Sequence, residues 1–435
     1  MWFGLDSDLV RRLVVDLAEQ PGTGDAVAVD RVALETETVR AAFARAAWTM
    51  IAEPGDGVAG LVVDALGPAE ALSAVLERVG PAELQRRILS SGWEGDPAGC
   101  DAPETLVDVP AAAAPGSRVL GNALDRWTPR LVAADLVVAC ETAIEVGARL
   151  VLPGGVGWHP GLDALGVHGP HALWLRGSGE AATGERAIAL VGARASTGYG
   201  EHVTLEAAAG LVDRGFTIVS GAAYGVDGAA HRAALGSGGV TVAYLAGGVD
   251  RPYPAGHDAL IRRIVEEGGT ILSESPCGST PTKWRFLQRN RLIAAASAAT
   301  VVLEAGSRSG SINTAGHAAS LGRPLGAVPG PVTSPASAGC HRLIREYAAT
   351  CVTNAEQMAE LTGWDVADAR AEAFASPRER RVRDALSLRT PRTIDVIAKT
   401  SGLAAREVAG VLGALDLVGV VHEREHGWVL SAAPG

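Results

Sequence analysis

The stretch Ala187–Gly221, AIALVGARASTGYGEHVTLEAAAGLVDRGFTIVSG, decides the fold. Two short apolar runs, AIALVG and FTIVSG, each end on small residues, and between them lies the helical pattern EHVTLEAAAGLVDRG. The rhythm continues with TVAYLAGG (241–248), TILSES (270–275), TVVLEAG (300–306) and LGAVPG (325–330), with NTAGHAASLG (313–322) as a further helical stretch. Strands alternating with helices imply βαβ units and a doubly wound α/β fold on a mostly parallel, Rossmann-like sheet. Such sheets bind ligands outside the carboxyl ends of their strands, so the loops there carry the functional reading.

The first loop, VGARASTGYG (191–200), is a glycine turn opening a helix. Ser196, Thr197, Gly198 and the free amides read as a phosphate cradle, with Arg194 placed to pair with a phosphate oxygen. A plain tight turn is the bland alternative. Only Gly198 and Gly200 keep a G-x-G spacing, and the next strand ends in Ser220–Gly221 rather than an acid, which argues against NAD. No GxxxxGK[ST] occurs, which excludes a Walker-type ATPase. After the second strand, SGAAYGVDGAAH (220–231) again opens a helix with small residues. Its Asp227 and His231 read as a helix cap and a local hydrogen bond rather than an acid/base pair. AGGVDRPYP (246–254) reads as a rigid loop. EAGSRSGSINTAGHA (304–318) would turn Ser309, Gly310, Ser311 and Thr314 into the crevice that holds Arg194.

A basic window precedes that last loop. KWRFLQRNR (283–291) places Lys283, Arg285, Arg289 and Arg291 beside Trp284 and Phe286, and no Asp or Glu occurs from Ser275 to Leu303. Cations attract phosphate and aromatic rings stack on bases, a mixture suited to single-stranded nucleic acid. The bland alternative is a solvated basic helix face with its aromatics in the core. Residues 186–345 hold 15 Lys and Arg against 10 Asp and Glu, in a chain of net charge −11. An acidic chain has concentrated its positive charge on the sheet domain.

At 435 residues two or three domains are expected, and 47% apolar content is enough for real cores. No uncharged apolar run reaches membrane-span length, and residues 1–30 show no secretory signal. The five cysteines lack CxxC or Cys/His spacing, so they read as free thiols in a reducing cytoplasm, with no metal and no cofactor implied. Residues 1–38 read as a loose extension or a misassigned start. From Val39, VRAAFARAAWTMIA, VAGLVVDAL and AEALSAVLERV form short helices with Gly-rich turns, followed by a helix near Pro81–Ser91: a small helical, SAM-like module with its linker over 39–118. Its turn carries Glu53 and Asp56, so it reads as scaffold and not as a phosphate hairpin. The sheet domain is expected over 119–362, entered by a helix at Cys140–Leu150 and a strand RLVLP, with a linker at 363–377. Residues 378–435 read helix, helix (394–400), helix (404–415) and hairpin VVHEREHGWVL, the order of a winged helix. Its presumed recognition helix offers Arg406 against Glu407, favouring a protein contact or regulatory role over base reading.

VGARASTGYG, SGAAYGVDGAAH, GGVDRPYP, SESPCGSTPTKWRFLQRNRLIA and EAGSRSGSINTAGHAASLGRPLGAVPGP occur in unbroken order over about 190–332. Together they resemble the DNA-processing protein A family, DprA/Smf. The resemblance extends to Val39–Leu76, like that family's N-terminal module, and to 378–430, like its winged-helix tail. It implies a protein that binds single-stranded DNA, displaces or tolerates single-strand-binding protein, and loads a RecA-type recombinase in natural transformation. It also implies dimerisation through the sheet domain. By position, Arg194, Lys283 and Arg289 would grip phosphate and Phe286 would stack or pack, with Arg291 in the same basic window. Asn290 and Ser309–Gly310–Ser311 would shape the pocket, and Gly221 belongs to it. Asn313 departs from the small or aliphatic residue usual there and would add an amide contact. The competing class is a nucleotide-binding or nucleotide-hydrolysing enzyme of the phosphoribohydrolase type, which uses a PGGxGTxxE loop. Here the corresponding loop has no carboxylate after Gly306 until Glu346, so no catalytic residue is expected.

Overall fold

The computed structural model describes residues 3–18, 36–93, 116–364, 377–387, 391–417, 420–424 and 427–430. It divides into two compact units, 1–364 and 365–435. Most of the expected linker at 92–118 and the stretch 365–376 lie outside the described residues.

The first unit opens with helix α1, Ser7–Ala18, where a loose extension was expected. Asp6 starts it by accepting from the amides of Asp8 and Leu9. Val10, Leu13, Val14 and Leu17 then fall on one face, at helical spacing, and are buried. Helices α2 (Thr36–Ile51), α3 (Gly57–Leu66), α4 (Pro68–Leu76) and α5 (Pro81–Ser90) follow the expected module. Helix α6 (Ser117–Trp127) straddles the boundary expected at 118/119 and belongs to this core, because buried Trp127 meets buried Trp48 edge-on at 5.2 Å. Helix α7 is Ala133–Glu145, earlier than the expected Cys140–Leu150, whose end forms strand β1 (Arg149–Val151).

The remaining strands are β2 (Leu173–Gly177), β3 (Ala187–Gly192), β4 (Thr217–Ser220), β5 (Thr241–Leu245), β6 (Thr270–Ser273), β7 (Ala299–Glu304), β8 (Leu325–Ala327) and β9 (Thr350–Cys351). They form one sheet in the order β1-β2-β6-β5-β4-β3-β7-β8-β9. Strand β2 runs antiparallel to both neighbours, and β6 through β9 are parallel. Those parallel strands are apolar on both faces because helices cover both. Between β2 and β3 lies the short helix α8 (Gly179–Thr183). Helices α9 (Gly198–Val212) and α10 (Val226–Gly236) share a core with one face. After β5 comes α11 (Asp258–Glu266), then α12 (Lys283–Ala295), α13 (Ser311–Ser320) and α14 (Ala338–Glu346); α12 and α14 bury residues on the other face. The helical module shares a core with Trp174, Leu245 and Ile271, so it seats on the β2–β6–β5 end of the sheet. Helix α15 (Ala355–Glu360) closes the unit.

From β3 the order runs through β4, β5 and β6 in one direction and through β7, β8 and β9 in the other. That reversal opens a crevice outside the carboxyl ends of β3 and β7, where doubly wound sheets bind ligands. Among the described residues no single helix is long and apolar enough to cross a membrane.

The second unit has helices Pro377–Asp384, Ile394–Ser401 and Ala405–Leu417 and an antiparallel hairpin, Val421–Arg424 with Gly427–Leu430. Ile397, Val408, Leu412, Val421 and others form its core. Glu407 accepts from the Ala404 amide and pairs with Arg378, while Arg406 is exposed.

Candidate functional site

The crevice is an open cleft of about 940 Å³. The loop after β3 contributes Arg194, the loop after β4 contributes Ala223 and the first turn of α10 contributes Asp227, and the loop after β5 contributes Tyr253. Helix α12 supplies Lys283, Phe286, Arg289 and Asn290, the loop after β7 supplies Ser307, Arg308, Ser309 and Gly310, and the start of α13 supplies Ser311 and Thr314. Segments distant in sequence thus converge because each follows a strand of one sheet, or opens the helix that packs across it.

Thr282 caps α12 by accepting from the Arg285 amide, and that start sets the phase of the helix. Lys283, Phe286 and Asn290 recur at helical spacing and face the cleft. Lys283 is exposed and Phe286 half-buried. The Arg194 guanidinium lies 4.5 Å from the Phe286 ring centroid, that of Arg289 at 5.9 Å, and the Tyr253 ring at 5.5 Å. Two cations therefore lie within reach of one aromatic ring, an arrangement favourable to the ring quadrupole and to a phosphate beside a stacked base.

Arg289 is the floor of the cleft. It is buried, and its Nη1 donates to the Gly221 carbonyl at 2.6 Å and to the Tyr244 carbonyl. Burial lowers its pKa to about 10; Asp227 opposes that shift and Arg194 adds to it. The group stays charged at neutral pH. Gly221 makes this possible, since a Cβ there would stand 2.1 Å from Nη1. Asp227 is also buried; burial pushes its carboxyl up, against Arg289, the amides of Ala223 and Gly221, and Arg194. It accepts from the Ala223 amide, a local contact of the expected kind, but it also lines the cleft. His231 does not join it. Its Nδ1 meets Thr241 Oγ1 at 2.7 Å in the core, where burial drops the imidazole to about 3.

The phosphate cradle expected at the start of α9 is already filled. Glu304, buried at the end of β7, accepts from the Thr197 amide at 2.8 Å and the Thr197 hydroxyl at 2.6 Å. A carboxylate at a helix N-terminus takes the place an external anion would have. The approach is so close that a Cβ on Gly200 would lie 2.3 Å from Glu304 Oε2. Thr197 therefore serves the fold, and Ser196 and Gly198 do not line the cleft either.

Two further expectations change. Arg291 is 1% exposed, donates to both oxygens of Glu274 at 2.8 Å and gives its Nε to the His168 carbonyl. It cannot reach DNA. Asn313 lies behind the cleft, where its Oδ1 accepts from Asn290 Nδ2 at 3.2 Å, so it supports Asn290 instead of adding a contact of its own. Arg285 leaves the cleft as well: its Nε donates to Glu53 at 3.0 Å, and Arg130 also pairs with Glu53. Burial raises the Glu53 carboxyl, but these two guanidinia outweigh it and hold the carboxyl below its usual range. Asp56 caps α3 and accepts from Trp127 Nε1 and Arg126. The acidic turn of the module is thus a clamp, with no bearing on phosphate.

Arg308 and Tyr253 are cleft residues that the sequence reading passed over. Both sit in stretches it had singled out, and their position after β7 and β5 was the available signal.

The family model for DNA recombination-mediator protein A matches residues 156–363, and that for the DprA winged helix domain matches 366–427. The DNA processing protein DprA of Mycobacterium tuberculosis is 50% identical over 314 residues, which cover 68% of this chain and 80% of that protein. The chain belongs to the DprA/Smf family. Its members include protein Smf of Escherichia coli, 36% identical over 273 residues, covering 60% of this chain and 71% of that protein. A DNA processing protein A structure from Helicobacter pylori, concerned with single-stranded DNA binding by that protein, has a TM-score of 0.41 at 30% identity and covers 44% of this chain and 86% of that one.

Proposed function

We propose that the protein is a recombination mediator that binds single-stranded DNA in the cleft at the β3/β7 switch, protects it, and loads a RecA-type recombinase onto it. What carries this reading is the Phe286 ring with the guanidinia of Arg194 and Arg289 at 4.5 and 5.9 Å from its centroid, at a crevice rimmed by exposed Lys283 and Arg308. Cations there neutralise phosphate and the aromatic takes a base of any identity, because every base has a π-face. Arg194, Lys283, Phe286, Arg289, Asn290 and the Ser309–Thr314 segment are the contact residues, with Gly221 and Asn313 in support. Membership of a recombination-mediator family favours the loading role.

The protein works in the cytoplasm, where incoming DNA meets the recombinase and single-strand-binding protein. It acts by binding and not by catalysis, so incubation with nucleoside monophosphates releases no base. The winged helix contacts protein. A homodimer through the sheet domain, formed by elements within 310–350, couples two clefts on one strand and raises avidity through effective concentration.

The deciding experiment is titration of fluorescent single-stranded and duplex oligonucleotides at several salt concentrations. Single strands bind more tightly, with little sequence preference and a steep loss of affinity as salt rises. Equal or tighter duplex binding at matched salt overturns the reading.

A further inference from the structure

The cleft continues into aromatic surface that its own contacts do not need. Tyr253 is 50% exposed although its ring lies 5.5 Å from Phe286, inside the cleft. Four residues on, His257 is buried and donates from Nδ1 to the Ala222 carbonyl at 3.0 Å. Above His257 stands Tyr224, edge-on with ring centroids 4.8 Å apart, and itself 50% exposed. Tyr253 thus adjoins Phe286, and Tyr224 adjoins His257, which follows Tyr253 closely in the chain; the three aromatic residues stand on the segments after β6, β5 and β4, neighbouring strands of the sheet.

Folding stability gives no reason for Tyr224 to face water. Burying a tyrosine ring is favourable. Ala222, two residues earlier, has φ +53°, a left-handed conformation that disfavours any residue with a Cβ. His257 packs against the ring edge-on while Tyr224 stays half exposed. Exposed aromatic rings on neighbouring loops are what a nucleic-acid strand stacks on.

We infer that Tyr253 and Tyr224 extend the cleft into a stacking track, along which a single DNA strand leaves Phe286 and crosses the carboxyl ends of β5 and β4. This rests on the single-stranded DNA reading of the cleft and adds to it a direction and further base sites. Continuity with the cleft selects the occupant: a strand whose base stacks at Phe286 must carry its next bases past Tyr253. Lys283, exposed at the cleft, suits its phosphates.

The test is a length series of fluorescent oligothymidylates, about 4 to 16 nucleotides, titrated against the full chain and its Phe286→Ala, Tyr224→Ala and Tyr224→Phe variants at one low salt concentration. Phe286→Ala weakens binding at every length. Tyr224→Ala leaves the shortest bound oligonucleotide unaffected and weakens those long enough to reach β4 by about ten-fold, the scale of one lost stacking contact. Tyr224→Phe restores the affinity, because the ring and not the hydroxyl stacks. Two results overturn the track alone: equal affinity of Tyr224→Ala and the parent at all lengths, or an equal loss at all lengths. If the parent chain binds no oligonucleotide of any length, the reading of the cleft falls and the track with it. Unchanged thermal melting of Tyr224→Ala, expected for a half-exposed side chain, separates either result from unfolding.

Discussion

The two sides of α12 carry the same kind of residue to opposite ends. Lys283 and Arg289 face the cleft with Phe286 and Asn290. Arg285 and Arg291, two positions along from each, face inward to the carboxylates of Glu53 and Glu274. One pair has no carboxylate within ion-pair distance among the described residues, and the other is bound to one. A cationic run is therefore a poor measure of a nucleic-acid surface until each cation's partner is known. Half the charge of this window holds the sheet to its helical module and core, and half lines the cleft.

The largest effect falls on the inner side. Arg291→Ala strands the buried Glu274 carboxylate, and losing one partner of such a pair costs about 3–5 kcal/mol of stability. Thermal melting detects it, and loss of DNA binding follows only through unfolding. Arg291→Met combined with Glu274→Leu removes both charges and recovers much of the melting temperature, since an apolar pair of similar volume is often as stable. If Arg291→Ala melts like the parent and binds DNA worse, the comparison is broken.

On the cleft side, Phe286→Ala costs about 1–3 kcal/mol in single-stranded DNA binding if a base stacks on the ring, with the salt slope unchanged. A fall in melting temperature with binding intact would place the ring in the core with the inner side. Smaller again are Arg194→Ala and Lys283→Ala. Each weakens binding of any sequence and flattens the plot of log affinity against log salt by up to about one unit. Both are exposed, so neither changes melting.

How much of this the sequence carried depended on the range of the interaction. Runs such as AIALVG and TVVLEAG became β3 and β7 because strand period and small terminal residues are local signals. That Arg194 and Ser309–Ser311 line the cleft was legible since they follow strand ends in a sheet whose ligand edge is known, and Lys283 was singled out by the basic window that opens α12. Helix α1 was legible in principle: Val10, Leu13, Val14 and Leu17 keep helical spacing behind Asp6, and the short run escaped notice beside a patternless stretch. Thr197 was not legible. Its partner Glu304 is 107 residues away, and only the adjacency of β3 and β7 brings them together. Arg291 failed for a different reason. Which cations face the cleft follows from the phase of α12, and that depends on the helix starting at Thr282 rather than a residue or two to either side.

The smallest effect is that of Arg285→Ala, and it separates the two sides most finely. Arg285 lies a turn from Arg289 and two residues from Lys283, so a general loss of positive charge would weaken DNA binding. Its guanidinium is committed to Glu53, however, and the expected result is an unchanged salt slope with a stability loss of about 1 kcal/mol or less, as for partly exposed pairs. The sign of its pH dependence follows from Glu53. Arg285 and Arg130 hold that carboxyl below its ordinary value of 4.5 in the folded chain. The pair therefore contributes in full above the unfolded value, and its contribution fades as pH falls through the lower folded value. Melting curves of the parent and Arg285→Ala should differ near neutrality and draw together on acidification. A gap that persists undiminished at low pH would mean that Arg285 stabilises by packing alone. A flattened salt slope would mean that it reaches the strand, and the division of α12 into two sides would be wrong at that position.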